Sequence, residues 1–165
     1  MNFTITEHRD LWQRRVRRLL DLSEKRIEVG LTSSAPSRSR FLLAIHEHGS
    51  PIMRIPARPV IAPALSRPET VSAMQAEAVN ALTAAHEGDV GGARTALEAA
   101  GQAGADGIRA YIDAGIPPPN APVTLSGGWI CNRVAKTGAP IRGKNGSTPL
   151  KDTGALYNSF GYEIK

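Results

Sequence analysis

Hydrophobic residues in the first part of the chain follow two different periods. Between residues 6 and 23 they recur every three or four positions, which predicts an amphipathic helix with arginines around its polar side. The apolar face of this helix would consist of Trp12, Val16, Leu19 and Leu20. From Arg26 to Thr32 the hydrophobic residues alternate instead, which is typical of a half-buried strand.

Two long helices are predicted in the middle of the chain. Pro68 suits the first turn of a helix that runs to about Glu87 and ends at Gly88. Asp89 can then cap a second helix, which extends to about Ala114. Each interior glycine of this second helix costs on the order of 1 kcal/mol relative to alanine, but small residues also permit a close approach of a neighbouring element. We therefore predict an antiparallel helical pair over residues 68–115.

Shorter elements are predicted on either side of this pair. Three are helical, and they cover about Ser37–His48, Pro59–Leu65 and Asp152–Asn158. Three more are strands, over Ile52–Ile55, Ala121–Leu125 and Phe160–Ile164. The fold class is therefore α+β. We expect a single domain over residues 1–165, with a small, mostly antiparallel sheet packed by the N-terminal helix and the helical pair.

Residues 126–148 show neither a helical nor a strand period. The segment is rich in glycine and contains four cations and no acidic residue. A segment of this composition buries little apolar surface, so we expect an extended, flexible basic loop that a partner or a neighbouring copy orders. Its four cations are candidates for partner contacts: Arg133, Lys136, Arg142 and Lys144.

Composition excludes several classes of protein. No run of about 18 apolar residues is present, so we expect no membrane span. The first residues lack the cationic and apolar pattern of a secretory signal, which favours a protein that stays in the cytoplasm where it is made. The single cysteine, Cys131, excludes an intramolecular disulfide and a zinc site built from several thiolates.

Charge is distributed unevenly along the chain. The whole chain carries +5, but residues 68–115 carry seven acidic residues and two arginines, or −5, so the remainder carries +10. This segregation is expected of a basic face that binds nucleic acid, or of opposite faces that meet between neighbouring copies. The third interpretation is an ordinary solvated helix surface.

Two local patterns are similar to ligand sites but lack essential parts. Residues 138–144 match the beginning of a phosphate-binding loop, yet an asparagine stands where a Ser or Thr hydroxyl should ligate magnesium. His46 and His48 are two positions apart, whereas a zinc protease helix places its histidines four apart. The serines and the cysteine have no recognisable flanking motif of a nucleophile. We therefore predict no catalytic residue, no cofactor and no metal.

Three segments occur in a characteristic order: His46–Gly49, Ile55–Pro59, and Pro149–Leu156 followed by Ser159. Together they resemble the tail-completion or neck proteins of tailed phages, also called virion morphogenesis proteins. In that family a turn like HEFG precedes a strand, a corner like PARPF starts a helix, and a PLxDTGxLxxS segment starts the last helix and strand. The resemblance covers residues 26–66 and 147–165. His48 and Val60 depart from it, since the family commonly has an aromatic residue and a phenylalanine there.

The resemblance implies a structural virion protein. It would form a ring of six copies in the phage neck and join the DNA-filled head to the tail. Its partners would be other copies of itself, adjacent head-connector and tail proteins, and packaged DNA that passes through the channel without sequence preference. It would be made in the host cytoplasm and then reside in the virion neck, with no membrane and no catalysis. The alternative is a small basic protein that binds double-stranded DNA by itself; a hydrolase is the third hypothesis.

Physical chemistry suggests a role for the motif residues. Arg58 is held between two prolines, so its guanidinium is expected to pair with a carboxylate of its own chain or of a neighbour. Asp152 and Thr153 can accept hydrogen bonds from the free amides of the last helix, and Gly154 permits a close approach. The alternative for Arg58 and for Asp152 is that each only stabilises the fold of its own chain and contacts no partner.

The cations have two possible sets of partners. Four arginines of the first helix are candidates for facing DNA: Arg14, Arg15, Arg17 and Arg18. They would contact phosphates only, because a channel must let every sequence pass, and they could equally bind acidic surfaces of other neck proteins. For the loop cations we favour protein contacts, because tight phosphate binding would hinder DNA exit. We also expect copies to associate head to tail, with the acidic helical pair of one copy against a basic surface of the next.

Overall fold

The computed structural model describes residues 5–52, 54–132, 137–143, 148–151 and 153–165. The fold class is α+β, as predicted, and about 60% of the chain is helical. The helices are α1 (Ile5–Ser23), α2 (Ser37–His48), α3 (Ile61–Leu65), α4 (Pro68–Glu87), α5 (Val90–Asp113), α6 (Pro122–Ser126) and α7 (Ala155–Asn158). The strands are β1 (Ile27–Leu31), β2 (Gly128–Asn132), β3 (Thr137–Ile141) and β4 (Phe160–Ile164).

The central sheet has two antiparallel strands, β1 and β4. Its register places Val29 opposite Tyr162 and Leu31 opposite Phe160, so the apolar side chains of both strands share one face. That face packs on α5. The core continues from Phe160 into the second half of α5 and on to α3 and α7, where it includes Val60, Ile108, Ile112 and Leu156.

The predicted helical pair is confirmed as α4 and α5, and the residues predicted to start and end α4 and to cap α5 do so. Pro68 is the first residue of α4, and Gly88 ends it in the left-handed conformation at φ 97°. An Asp89 carboxylate oxygen accepts a hydrogen bond from the Gly92 amide at 2.8 Å, which caps α5. Helices α4 and α5 pack along each other.

Glycines allow α5 to lie close to both of its neighbours. A Cβ atom added to Gly101 would lie 2.4 Å from the Tyr162 ring, and one added to Gly107 would lie 2.4 Å from the Thr70 side chain. On Gly104 it would lie 2.9 Å from Val29. No side chain fits at these separations, so the glycines hold α5 between the sheet and α4. This confirms the close approach that we expected from the small residues of the helix.

Two predicted strands are wrong. Ile52 and Arg54 lie in a turn, which Ser50 and Ile55 close by exchanging backbone hydrogen bonds of 2.8 and 3.0 Å. Ala121–Leu125 is replaced by helix α6, because Pro122 occupies its first turn and the Ala121 carbonyl accepts from the Thr124 amide at 2.8 Å. In both places a proline next to apolar residues favoured local turn formation over a strand.

The predicted basic loop contains more structure than its composition suggested. Strands β2 and β3 pair antiparallel within it, with Gly128 opposite Ile141 and Trp129 opposite Pro140. Glycine within both strands and proline within β3 hid the alternation on which strand prediction depends. Residues 133–136 and 144–147 lie outside the described part of the chain. The predicted mobility of those residues therefore stays a prediction.

Helix α1 buries only part of the apolar face that was predicted. It lies on α4, and Val16 and Leu19 of that face are half-buried, but Trp12 and Leu20 are 65% and 59% exposed. Leu22, which was not in the predicted face, is half-buried as well. The hydrophobic period therefore predicted the helix correctly, but it did not predict which of its apolar side chains meet the rest of the chain.

The close contacts of α5 predict a strong effect of added methyl groups. We expect Gly101→Ala and Gly107→Ala to lower the free energy of unfolding by about 1–3 kcal/mol, because overpacking outweighs the gain in helix propensity. Gly91→Ala is the matched control, since a Cβ there meets only the Asp89 carboxylate at 3.5 Å. Urea denaturation measures all three. Equal stability of Gly101→Ala and Gly91→Ala would contradict the packing described here.

Candidate functional site

The first two motifs form one joined corner at the end of α2. Gly49 ends this helix at φ 73°, and a Cβ there would lie 2.8 Å from the Ala57 backbone nitrogen. The Arg58 amide donates a hydrogen bond to the His46 carbonyl oxygen at 2.6 Å. Only glycine allows the returning chain to pass this close in that conformation. The motif at residues 46–49 thus determines where the motif at residues 55–59 lies.

Glu47 fixes the next helix from the same corner. Its Oε1 atom accepts hydrogen bonds from the amides of Val60 and Ile61, both at 2.9 Å. These amides open α3, where a carboxylate satisfies free donors and is favoured by the positive end of the helix. The carboxylate therefore has a structural partner. Among the described residues no three His, Cys, Asp or Glu side chains are grouped as metal ligands would be.

Arg58 lies inside the protein and is only 5% exposed. Its Nε atom donates to the Pro118 carbonyl oxygen at 2.7 Å, and a terminal nitrogen donates to the Pro119 carbonyl oxygen at 2.9 Å. Burial lowers the pKa of Arg58 from its ordinary value. The prediction that the Arg58 guanidinium pairs with a carboxylate is therefore wrong. The side chain binds two backbone carbonyls that follow α5. This is the alternative in which Arg58 supports its own chain.

The third motif is fastened to the end of α5. Lys151 Nζ donates to Asp113 Oδ1 at 2.5 Å, and the Tyr157 hydroxyl donates to Asp113 Oδ2 at 2.9 Å. The ammonium also lies 4.1 Å from the centre of the Tyr157 ring. The hydrogen bond that Lys151 donates to Asp113 lowers the pKa of Asp113 and raises the pKa of Lys151. A cation here offsets the negative end of α5 as well as the carboxylate.

The predictions for Asp152, Thr153 and Gly154 of the third motif compare differently with the structure. Asp152 lies outside the described residues. The Thr153 hydroxyl accepts from the Ala155 amide at 3.4 Å, which is a long hydrogen bond. Gly154 adopts the left-handed conformation at φ 79°, and a Cβ there would meet only the Asn158 side chain at 3.4 Å. The glycine is therefore required by its backbone conformation and not by the close approach that we expected.

Ser39 of α2 and Ser159, which directly follows α7, link these two helices to each other. The Ser159 hydroxyl donates to the Ala155 carbonyl at 2.6 Å, so its oxygen is left to accept from the buried Ser39 hydroxyl at 3.1 Å. The sequence motif included Ser159 but gave no sign of Ser39 as its partner, because the two are 120 residues apart.

The four arginines of α1 do not share one environment. Arg14, Arg15 and Arg17 are exposed, whereas Arg18 is half-buried. The Arg18 guanidinium lies against Gly88, where a Cβ would be 2.6 Å from it. A cation is favoured at this carboxyl end of α4. Arg18 is therefore placed for an intrachain role, and the other three are accessible to a partner.

The basic segment adds one further described cation. Arg142 is exposed. The remaining predicted contact residues, Arg133, Lys136 and Lys144, lie outside the described part of the chain. The Trp129 side chain on β2 is 68% exposed.

A cleft of about 750 Å³ lies between α2 and the outer face of the central sheet. Two of the charged groups along it pair with each other, since Lys165 Nζ donates to Glu28 Oε2 at 2.5 Å, and the Ser33 amide donates to Glu163. Hydrogen bonding by the Ser33 side chain, and then by its amide, lowers the pKa of Glu163. Paired and solvated charges of this kind stabilise the sheet edge, and they do not assemble a nucleophile with a base.

The chain was compared with family models, with curated proteins and with solved structures, and none of them matches it. In the described part of the chain, no helix is both long and apolar enough to cross a bilayer.

Arg58 yields a stability prediction. We expect Arg58→Lys to lower the free energy of unfolding by about 1–3 kcal/mol, because an ammonium cannot reach both proline carbonyls in the same geometry. Arg38→Lys is the matched control on α2, where the side chain is exposed and the change should stay within about 0.5 kcal/mol. Chemical denaturation measures both. If Arg58→Lys lowers the free energy of unfolding no more than Arg38→Lys does, the two hydrogen bonds from Arg58 to the proline carbonyls do not stabilise the fold as described.

The Asp113 contacts yield a pH prediction. Because the pKa of Asp113 is lowered in the folded state, its contribution is present above about pH 4 and is lost as the pH falls through the folded value. The raised pKa of Lys151 keeps the pair ionised until strongly alkaline pH. The melting temperatures of wild type and Asp113→Asn should therefore differ by a constant amount between about pH 5 and pH 9 and converge in acid. A difference that persists unchanged in strong acid would refute this.

Proposed function

We propose that this chain is a structural virion protein of a tailed phage, which forms a ring of six copies in the neck and joins the DNA-filled head to the tail. The observation that carries the proposal is that a charged residue from each of the three motifs binds groups within its own chain. Glu47, Arg58 and Lys151 each bind groups of their own chain and position α3, the segment after α5, and α7. Residues used in this way define a scaffold, which is what the resemblance to neck proteins implies.

The distribution of charge supports the ring. Helix α4 carries three glutamates and no lysine or arginine, whereas α1 carries five arginines and three acidic residues. Opposite charges on different parts of one chain favour association in which unlike surfaces meet, and such contacts close into rings. The proposed partners are further copies of the chain, adjacent head-connector and tail proteins, and packaged DNA held without sequence preference.

One observation favours the second candidate, a basic protein that binds double-stranded DNA by itself. Arg14, Arg15 and Arg17 are exposed on a single helix, as an electrostatic contact with phosphates requires. The two candidates differ in what the isolated chain does. A ring protein associates with itself without DNA, whereas a DNA-binding protein remains monomeric and binds a duplex with an affinity that falls steeply with salt.

The test is the mass and shape of the purified full chain. We expect closed rings in electron micrographs, and a mass by light scattering that falls toward that of the monomer between about 0.1 M and about 1 M salt, where the screening length shrinks from about 10 Å to about 3 Å. The same samples are titrated with duplex DNA. A monomer at every concentration that binds duplex DNA would replace the proposal by the second candidate.

A further inference from the structure

Helix α1 exposes an apolar stripe that the described part of its own chain does not cover fully. Trp12, Val16 and Leu20 are spaced four residues apart and so lie on one side of the helix. Trp12 and Leu20 are well over half exposed, and Val16 is partly exposed. We call these three residues the α1 stripe. A tryptophan and a leucine left open on the same helix face are typical of a surface that meets a partner.

Helix α4 exposes a second apolar surface. Val79 and Leu82 are 59% and 50% exposed and lie three residues apart on the side of α4 that faces away from α5. They stay open although α1 of the same chain packs on α4. We call these two residues the α4 patch.

Charge decides which of these surfaces can meet. Two α1 helices, each with an excess of arginine, repel each other, and so do two α4 helices that carry only glutamates as charged residues besides His86. The combination of one α1 with one α4 brings opposite charges together. The exposed Arg17 next to the stripe and the exposed Glu87 at the end of α4 are opposite charges that such a contact would use.

We propose that the α1 stripe of one copy packs on the α4 patch of the next copy. The contact joins unlike surfaces, so each copy offers one surface of each kind and the contact repeats from copy to copy. This inference specifies the contact between copies in the proposed function, and it rests on that function for the statement that the copies close into a ring. Trp12 is the central side chain, since aromatic residues in the middle of an interface contribute most to affinity.

Crosslinking between two differently labelled proteins tests the contact. In a Cys131→Ser background, one protein carries Leu20→Cys and the other carries Leu82→Cys; both positions are exposed, so folding should be unaffected. A short bismaleimide should link the two proteins to each other in a mixture and should link neither protein to itself. Arg38→Cys, exposed on α2, replaces Leu20→Cys in the control mixture, where no link to Leu82→Cys is expected.

Substitution of the stripe gives an independent readout. Trp12→Ala should weaken self-association by on the order of tenfold or more. Phe41→Ala, which removes an aromatic side chain that is 64% exposed on α2, should leave it unchanged. Circular dichroism confirms that both variants keep their helix content.

The outcomes separate this inference from the proposed function. Rings that form without the mixed crosslink, or a Leu20→Cys protein that links to itself, would overturn the α1–α4 contact while the neck ring remains. A chain that stays monomeric at every concentration would overturn both. The mixed crosslink together with the loss of rings in Trp12→Ala supports the contact.

Discussion

The separation between α5 and its two neighbours is the constraint on which the rest of the structure depends. With few aromatic side chains, 5% of the sequence, the protein cannot fill wide gaps between its layers. It brings the backbone of α5 against Tyr162 on one side and against Thr70 on the other, at positions where glycine leaves room. The interior glycines lower the intrinsic stability of the helix, and tight packing on both sides offsets that cost. Helix α5 packs on both strands of this two-stranded sheet.

The motif residues work at the boundaries of this layered core. Glu47 holds the start of α3, Arg58 holds the segment that follows α5, and Lys151 holds the end of α5 itself. Each supplies a charged group to backbone or side-chain groups that would otherwise lie at the surface or at a helix end without a strong partner. These bonds fix the positions of α3, α5 and the segment after α5 relative to one another.

Much of this fold could be predicted from the sequence, and the reasons for the exceptions are physical. Pro68, Gly88 and Asp89 are strong local signals, and α4 and α5 begin and end where these residues predicted. The strands around Ile52 and Ala121 failed because proline favoured turns at both places. The partners of Arg58 and Ser39 could not be predicted, since they are 60 and 120 residues away in the chain. The period of α1 predicted a helix, but whether Trp12 is covered depends on the tertiary structure alone.

The pairing of β1 with β4 has a consequence for the order in which the protein is completed. Glu28 and Lys165 meet across this sheet although 137 residues separate them. On the ribosome β1 is therefore made early and stays without its partner until β4 has emerged, and the surface of α5 around Gly101 stays open for the same time. Closing so long a segment slows folding more than it lowers stability. The core around Phe160 and Tyr162 is therefore completed only after β4 has been synthesised.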